Sequence, residues 1–298
     1  MEVIPSGRAL GAEIRGVDLS SSLAESDRAA ILAAWHNHLV LLFRGQHIDD
    51  DVLLRLAGEF GGAQVAGSRD YYVKAGYGTK SGRLSVHPGI SIVSNLDENG
   101  QPVPVHSGTG SLPLSYHTDN SYVETPPKGS LLYSLQTPVE GGGDTSFVNQ
   151  YDAYETLPEP LRARIEGLHI KHDTSRNTAG SLRPTAALPE TYDEVVGPVH
   201  PIVRVHPETG RKALYLGRRY AAPSSHIVEM PNEAGEALLD ALWAHATADR
   251  LRWTQQWRPH DLLMWDNRCT MHARSTIDAT QPRELHRTLI AGEAVIPG

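Results

Sequence analysis

The sequence predicts an α+β protein whose centre is a β-sandwich or a β-barrel. Several short segments alternate between apolar and polar residues, or are apolar throughout, as half-buried and buried strands do. Turn-forming residues separate these segments, and a few longer segments have helical periodicity instead. Several short strands separated by turns are typical of a sandwich or a barrel. The predicted strands of the middle and C-terminal parts are residues 90–94, 130–135, 202–205, 212–216, 251–257 and 261–265.

The N-terminal part of the chain contains two predicted helices around a buried strand. Residues 22–25 have the capping-box pattern Ser-x-x-Glu, and apolar residues follow them at helical spacing. Residues 39–43 are all apolar and predict a buried strand, while residues 50–60 predict a second helix ended by two glycines. Further along, residues 207–210 predict the turn of a hairpin, and residues 232–248 predict a long amphipathic helix. We expect the two N-terminal helices to pack outside the functional centre.

Two long segments between the predicted strands are rich in glycine and polar residues. They cover residues 67–89 and 103–112, and the second ends shortly before a His-x-Asp pair. Disorder is one explanation for such a composition, but loops of this length in a compact domain are commonly lids or binding loops. We therefore expect both segments to form part of a substrate entrance.

The chain has 298 residues and a formal net charge of −8 at pH 7. We find no linker, charge block or internal repeat, so we expect residues 1–298 to form a single domain. The acidic balance and the lack of a basic run argue against a nucleic-acid partner, including the substrate of an oxidative demethylase. No apolar stretch approaches the roughly 20 residues of a membrane span, and the N-terminus lacks a secretory signal pattern. We therefore expect a cytoplasmic protein with no membrane partner.

The chain contains one cysteine, Cys269, three residues before His272. A single cysteine excludes an internal disulfide and is compatible with a reducing compartment. As a nucleophile it would need a nearby base, but an odd spacing on a strand points Cys269 and His272 to opposite faces. We expect Cys269 to be a small buried residue.

Two histidines and an aspartate are the candidate metal ligands. His117 and Asp119 are two residues apart, so their side chains share one face if the segment is an extended strand. His272 lies far downstream and would reach the same ion from another strand. Two imidazoles and one carboxylate leave half of an octahedron open, which lets non-haem Fe(II) bind a chelating cosubstrate and O₂ together. The same three residue types also make a catalytic zinc site.

Two arginines that follow His272 distinguish between these metals. Arg283 lies 11 residues after His272, and Arg287 lies four residues further on. If this segment is a strand, the even spacing places both arginines on one face, about 13 Å apart. A planar guanidinium holds a carboxylate by two hydrogen bonds, so the pair indicates two anionic ligands near one metal. A zinc hydrolase does not need a second dianion beside its metal, which favours iron.

Motifs spread over nearly the whole chain occur in a specific order and spacing. They are residues 10–19, 116–119, 126–130, 142–145, 206–215, 265–268 and 286–287. Together they resemble the taurine and phenoxyacetate dioxygenases, the TauD/TfdA family of Fe(II)/2-oxoglutarate enzymes. The resemblance implies a double-stranded β-helix, or jelly roll, with flanking helices and long active-site loops. It also implies Fe(II) as the metal, with 2-oxoglutarate and O₂ as cosubstrates.

The resemblance assigns roles to individual residues. The three candidate ligands hold the iron, and Arg283 binds the distal carboxylate of 2-oxoglutarate with Thr145 as its hydroxyl partner. Arg287 matches the arginine that meets an anionic group of the substrate. On the residues alone, Thr145 would be an ordinary strand residue, and Arg287 could form a structural ion pair instead. The presence of Asp119 argues against halogenation, because halogenating relatives replace this carboxylate by a small residue.

Other residues near the motifs have weaker signals. Tyr116 and Asn120 flank the first two ligands and are expected to line the pocket, while Asn267 is expected to form a turn and support the site. Family members can carry an additional loop histidine that touches the acid group of the substrate. The sequence has no histidine between residues 61 and 86, which argues against taurine itself.

The implied reaction converts 2-oxoglutarate to succinate and CO₂ while a C–H bond of a small, anionic organic substrate is hydroxylated. Desaturation and cyclisation are alternative outcomes of the same chemistry. A non-catalytic small-acid binding protein on the same fold is an alternative of another class. Family members often form dimers or tetramers, so the resemblance is also compatible with a homo-oligomer.

Overall fold

The computed structural model describes residues 1–79, 84–104 and 110–298. The α-helices in these ranges are α1 (Glu25–His38), α2 (Asp50–Glu59), α3 (Arg69–Lys74), α4 (Gln150–Glu155), α5 (Glu159–Ile165) and α6 (Asn232–Ala246). The first strands are β1 (Glu2–Pro5), β2 (Ala12–Arg15), β3 (Val40–Phe43), β4 (Ala63–Gln64), β5 (Ile90–Ser94), β6 (Leu114–His117), β7 (Gly129–Gln136), β8 (Thr145–Asn149) and β9 (His169–Lys171). The later strands are β10 (Val199–Pro201), β11 (Val203–Val205), β12 (Lys212–Leu214), β13 (His226–Ile227), β14 (Arg252–Gln255), β15 (Leu262–Asp266), β16 (Thr270–Arg274), β17 (Glu284–Ile290) and β18 (Ile296–Pro297). Within the described ranges, no helix combines the length and the apolar character needed to cross a bilayer.

Two sheets form the centre of the protein. The larger sheet has the strand order β1-β2-β3-β15-β7-β17-β4, and β5 pairs with β17 beside this path. The smaller sheet has the order β14-β8-β16-β6. Pairing in both sheets is antiparallel apart from the parallel contact of β2 with β3. Two further three-stranded sheets, β10-β9-β13 and β12-β11-β18, include the predicted hairpin of β11 and β12.

Alternation along the strands builds a layered core. In β3, Leu41 and Phe43 pack with residues of α1 and α2 on the outer face of the larger sheet. Val40 and Leu42 belong instead to a second cluster, which also contains Phe147 of the smaller sheet. A third cluster joins the outer face of the smaller sheet to α6. The protein is therefore a β-sandwich covered by helices, which confirms the predicted α+β class.

Two predictions about the helices are wrong. The N-cap position of α1 is Ala24, and no side chain caps the helix there. Ser22 lies two residues before this position, so the predicted capping box does not form. α3 lies inside residues 67–89, which were predicted as a loop. This helix has only six residues and none of them is buried, so it lacks the apolar periodicity that reveals longer helices. The second predicted loop, residues 103–112, includes residues 105–109, which lie outside the described ranges.

An ion-pair cluster lies on the outer face of β17. His286 Nδ1 is 2.6 Å from Asp50 Oδ1 at the start of α2, and His286 Nε2 is 3.2 Å from Glu284 Oε1. Burial alone would lower the pKa of His286, but the two carboxylates outweigh it and raise this pKa to about 9. The helix α2 is thereby tied to the larger sheet through a charged histidine.

We expect the free energy of unfolding to decrease as the pH rises from about 6.5 to about 9, in part because His286 loses its proton. A histidine whose pKa is raised by folding stabilises the folded state fully below its unfolded pKa, and the contribution is lost as the pH rises through the folded pKa. Its upper limit is on the order of 3 kcal/mol. Urea unfolding of wild type and His286→Asn at about pH 6 and pH 9.5 measures this contribution. If the free energy of unfolding decreased equally in the two proteins between these two pH values, the stabilising role of the His286 ion pairs would be contradicted.

Candidate active site

The three predicted metal ligands lie together inside the sandwich. β16 pairs with β6 so that His272 lies opposite His117. β6 ends at His117 and Asp119 follows in a turn, so the expectation that both residues lie on one strand is wrong. One ligand atom from each residue lies within 4.8 Å of the other two, and all three residues are buried. Such a set of two imidazoles and one carboxylate fits a single divalent metal ion.

Hydrogen bonds hold the ligands in place. His117 Nδ1 donates to the Ser115 carbonyl at 2.9 Å, which leaves Nε2 facing Asp119 Oδ1 at 3.7 Å. Asn267 holds the backbone of Asp119 from both sides, because its Oδ1 accepts from the amide and its Nδ2 donates to the carbonyl, both at 2.9 Å. Ser130 Oγ donates to Asp119 Oδ2 at 3.0 Å. Contacts of this kind fix the orientation of metal ligands.

Burial and neighbouring charges keep the three residues in forms that bind metal. Burial lowers the pKa of His117 well below its usual range, and His272 and Arg218 lower it further. Burial also lowers the pKa of His272, to about 4. Burial alone would raise the pKa of the Asp119 carboxyl, but Arg287 and the two imidazoles outweigh it, so this pKa is lowered. Neutral imidazoles and an ionised carboxylate are the forms that a metal ion requires.

Ser130→Ala should weaken metal binding by about 10- to 100-fold, because it removes the hydrogen bond that orients Asp119 Oδ2. Titration with Mn(II) by calorimetry measures the affinity. Ser134→Ala is a matched control: Ser134 lies on the same strand, is fully buried, and its hydroxyl has no partner among the described residues. Equal Mn(II) affinities for Ser130→Ala and Ser134→Ala would show that Ser130 does not orient the ligand.

Arg283 lines a cavity that also contains His117 and His272 in its wall. It is 1% exposed, and it lies immediately before β17. Its backbone amide donates to Asn95 Oδ1 at 2.9 Å and its Nη2 donates to the Gly143 carbonyl at 3.0 Å. Its Nε and Nη1 have no hydrogen-bond partner among the described residues. A buried guanidinium with these donors available fits a carboxylate of a bound anion.

The segment before β8 shapes the surroundings of Arg283. Gly143 has a φ of +68°, and a Cβ there would lie 2.6 Å from Arg283 Nε, so only glycine fits. Thr145 lines the same cavity, and its Oγ1 accepts a hydrogen bond from Trp257 Nε1 at 2.9 Å. The hydroxyl proton of Thr145 therefore remains available for an anion.

Arg287 lines the cavity as well, in agreement with the expectation that it shares a face with Arg283. Its Nη1 donates to Asp119 Oδ1 at 2.7 Å, so it forms an ion pair with a candidate metal ligand. Its Nε has no hydrogen-bond partner in the part of the chain that the structure describes. Arg287 therefore forms the ion pair that was the alternative to a substrate contact. A contact between the substrate and its other nitrogens stays a prediction.

Asn120 and Tyr116 lie on different sides of the smaller sheet. Asn120 lines the cavity, and its Nδ2 is buried without a partner among the described residues. Tyr116 packs instead against the outer cluster that contains Met271. Neighbouring residues of a strand alternate between faces, so Tyr116 points away when His117 faces the metal site. The prediction that Tyr116 lines the pocket is wrong.

The cavity contains arginines that the sequence did not reveal as functional candidates. Arg274 follows His272 by two residues on β16, so strand periodicity could have identified it, and it donates to the Gly110 carbonyl at 2.9 Å. Arg183 and Arg218 come from segments outside helices and strands. No local pattern marks these two, because tertiary contacts alone bring them to the cavity.

A second group of residues with metal-binding side chains consists of His206, Asp266 and Cys269. The Asp266 Oδ2 oxygen accepts from His206 Nε2 at 3.0 Å and from Arg268 Nη2 at 2.7 Å, so this group is an ion-pair network. Burial raises the pKa of the Cys269 thiol well above its usual range. These features agree with a structural role for Cys269, as expected from its spacing.

The fold and the site together define a class of protein: a β-sandwich with a buried metal site of two histidines and one aspartate, next to an arginine-lined cavity. The chain belongs to the family described as "Taurine catabolism dioxygenase TauD, TfdA family", which matches residues 2–289.

Three known proteins illustrate this relationship. An alpha-ketoglutarate-dependent sulfate ester dioxygenase from Pseudomonas putida is 33% identical, over 99% of this chain and 91% of the relative. An alpha-ketoglutarate-dependent 2,4-dichlorophenoxyacetate dioxygenase from Cupriavidus pinatubonensis is 30% identical over 96% of both chains. The crystal structure of AAD-2 in complex with Mn(II) and N-oxalylglycine has a TM-score of 0.80 at 28% identity, and the match covers 99% of this chain and 100% of that chain. These similarities confirm the expected jelly-roll fold and the expected enzyme class, an oxidoreductase dependent on Fe(II), 2-oxoglutarate and O₂.

Proposed function

We propose that this protein hydroxylates a C–H bond of a small organic anion, with conversion of 2-oxoglutarate to succinate and CO₂. The observation that carries the proposal is one cavity that joins the buried metal site to Arg283, a buried guanidinium without a carboxylate partner among the described residues. Two of the relatives described above act on a sulfate ester and on 2,4-dichlorophenoxyacetate, as their names state. Both substrate classes are anionic, which supports an anionic substrate here.

Each residue of the site has a part in this proposal. His117, Asp119 and His272 would hold the iron, because their ligand atoms are close together and in the required protonation states. Arg283 and Thr145 would bind the distal carboxylate of 2-oxoglutarate through their remaining hydrogen-bond donors. Bound iron and 2-oxoglutarate supply the oxidising chemistry. The protein positions the reactants and limits the access of water to the buried ligands.

The substrate would enter the same cavity beside the metal ligands. The Nδ2 of Asn120 and the Nε of Arg287 are both available for it, since neither has a partner among the described residues. A permanent charge at Arg287 selects carboxylates, sulfonates and similar anions over neutral isosteres.

The proposal is tested by a substrate screen with anaerobically Fe(II)-loaded protein and 2-oxoglutarate, started by adding air. Matched pairs of sulfate esters, sulfonates, carboxylates and phosphonates with their neutral analogues should give succinate only with the anionic member. Mass analysis of the products separates hydroxylation, a gain of one oxygen in the product or in the sum of its fragments, from desaturation, a loss of two hydrogens. An anion that binds without any succinate formation would favour the alternative of a binding protein.

Arg287→Gln should impair oxidation of the substrate by at least about tenfold while 2-oxoglutarate still binds, because the variant loses one charge-assisted contact. Succinate formation and the metal content of the variant are measured together. Since Arg287 also contacts Asp119, a loss of metal in parallel with activity would assign Arg287 to the metal site and not to the substrate.

We further propose that residues 1–298 form one domain, since β1 near the start and β17 near the end belong to the same sheet. A cytoplasmic location and the lack of nucleic-acid or membrane partners follow from the sequence arguments. A homodimer or homotetramer is proposed by analogy with the family, and light scattering tests it.

A further inference from the structure

Five of the six buried arginines among the described residues form two groups, while the sixth, Arg274, donates to the carbonyls of Gly110 and Leu112. Arg204 and Arg268 lie outside the cavity, and each lies within ion-pair distance of a carboxylate. Arg183, Arg218 and Arg283 line the cavity, are at most 6% exposed, and have no carboxylate oxygen within ion-pair distance among the described residues. A buried charge without a counter-ion is strongly unfavourable. The second group therefore indicates anions that are not part of the chain, and the 2-oxoglutarate carboxylate accounts for Arg283 only.

Arg183 and Arg218 converge on one aromatic ring. Their Cζ atoms lie 4.4 Å and 4.7 Å from the centroid of Tyr122. Arg183 donates through Nε to the Thr174 carbonyl at 3.0 Å, and Arg218 donates through Nη1 to the Arg176 carbonyl at 3.4 Å. The Nε of Arg218 is buried and has no partner in the described part of the chain. The tyrosine ring holds both guanidinium groups by cation–π contact, while donors and two positive charges remain for a ligand.

The arginine pair lies beside the metal site. Tyr122 donates through its hydroxyl to Asn120 Oδ1 at 2.5 Å, and Asn120 directly follows a metal ligand. On the other side, the carbonyl of Gly217, the residue before Arg218, accepts from the Thr118 amide at 2.9 Å. Thr118 lies between two of the ligands in sequence. Tyr122 and Gly217, which adjoin the two arginines, are therefore both hydrogen-bonded to the segment that carries the metal ligands.

We propose that Arg183 and Arg218 form a further subsite for the oxyanion group of the primary substrate, which they bind together with Arg287 of the same cavity. This inference rests on the proposed function, because it assumes that 2-oxoglutarate occupies Arg283. Bound Fe(II) and the 2-oxoglutarate dianion carry equal and opposite charges, so together they add no net negative charge to offset the two guanidinium groups. An anionic substrate offsets the cost of these buried charges and a neutral one does not, which makes the pair a determinant of specificity.

Inorganic sulfate is the probe for this subsite. It is titrated by calorimetry into anaerobic Fe(II)-loaded protein that is saturated with 2-oxoglutarate, so that Arg283 is already occupied. Wild type should bind sulfate, and Arg183→Gln and Arg218→Gln should each weaken this binding by at least about 30-fold, because each removes one partner of a buried charge pair. The affinity for 2-oxoglutarate, followed by the visible absorption band of its Fe(II) complex, should change by less than about threefold.

Arg211→Gln is the matched control. The Cζ of Arg211 lies 4.1 Å from the centroid of the Tyr151 ring, but this arginine is outside the cavity lining and pairs with Glu155. The Arg211→Gln variant should bind sulfate with the same affinity as wild type. Sulfate should also raise the melting temperature of wild type and Arg211→Gln, but not that of the two cavity variants. If the glutamine variants do not fold, Arg183→Lys and Arg218→Lys keep the charge, and intermediate sulfate affinities are expected.

Two results would overturn the subsite: sulfate that binds the cavity variants as tightly as wild type, or no sulfate binding to wild type. Loss of sulfate binding in Arg287→Gln with full binding in the arginine-pair variants would also overturn it. Failure of the dioxygenase proposal is seen separately, as the absence of the Fe(II)–2-oxoglutarate absorption band, which requires neither sulfate nor the arginine pair.

Discussion

Asp119→Ala should lose Fe(II) and all substrate-dependent succinate formation while the protein stays folded. Asp119 supplies the carboxylate of the ligand set, and its position is fixed by Asn267 and Ser130. Loss of a contact to a ligand typically weakens metal binding about 10- to 100-fold, so loss of the ligand itself should exceed about 100-fold. Metal analysis after anaerobic loading and desalting, together with succinate measurement, tests this. A variant with wild-type activity would remove Asp119 from the metal site.

The ion pair of Asp119 with Arg287 provides a control for the folded state. Breaking a buried pair from one side typically costs about 3–5 kcal/mol, because the other charge is left uncompensated. Arg287 is partly exposed to the cavity, so we expect the free energy of unfolding of Asp119→Ala to decrease by less than this amount. The double variant Asp119→Ala with Arg287→Gln should recover most of the lost stability in urea unfolding without recovering metal binding. Recovery of metal binding would contradict the assignment.

The second large effect is expected for Arg283→Gln, which should raise the dissociation constant of 2-oxoglutarate by about 30-fold or more. Loss of one partner of a buried charge pair costs about 2–5 kcal/mol of binding free energy. Titration of 2-oxoglutarate into the anaerobic Fe(II) protein, followed by its visible absorption band, gives the constant. An unchanged constant would contradict the role of Arg283.

Arg204→Gln is the control for this prediction, because it makes the same substitution at a buried arginine outside the cavity. Arg204 lies 3.9 Å from a carboxylate oxygen of Glu293 and stacks on Tyr215, so its replacement should lower stability and leave 2-oxoglutarate binding unchanged. Arg283 has no carboxylate partner among the described residues, so Arg283→Gln should show the opposite pattern: weaker 2-oxoglutarate binding with little loss of stability.

Local chemistry and strand periodicity were sufficient to predict part of the site. His117 and His272 could be recognised from residue type and motif context, and the even spacing of Arg283 and Arg287 indicated a shared face. The turn at Asp119 could not be foreseen, because the end of β6 is set by pairing with β16, a strand about 150 residues away in sequence. The position of a strand end is a tertiary property.

The error at Tyr116 has a different physical cause. Periodicity shows that Tyr116 and His117 face opposite ways, but it does not show which face meets the active site. Both faces of the smaller sheet are covered by apolar clusters, so an aromatic residue is suitable on either one. Arg183 and Arg218 escaped prediction because they come from irregular segments, where no periodic pattern exists.

The strands of the larger sheet become neighbours in an order far from their order in the chain. β3 and β7 are both bonded to β15, while β7 and β5 are both bonded to β17. During synthesis, these earlier strands would therefore emerge as separate pieces, and the sheet could close only after residue 290 has left the ribosome. Pairing over such sequence distances is slow and leaves strand edges exposed in the meantime.

The last strands of the two central sheets to emerge also carry chemical groups of the active site. His272 lies on β16, Arg287 lies on β17, and Arg283 immediately precedes β17. Pairing of these strands therefore closes the sandwich and also brings the metal ligands and the anion-binding arginines together. A partly synthesised molecule that ends before β16 would have neither a closed core nor a complete set of metal ligands, so it could not retain iron in an incomplete active site.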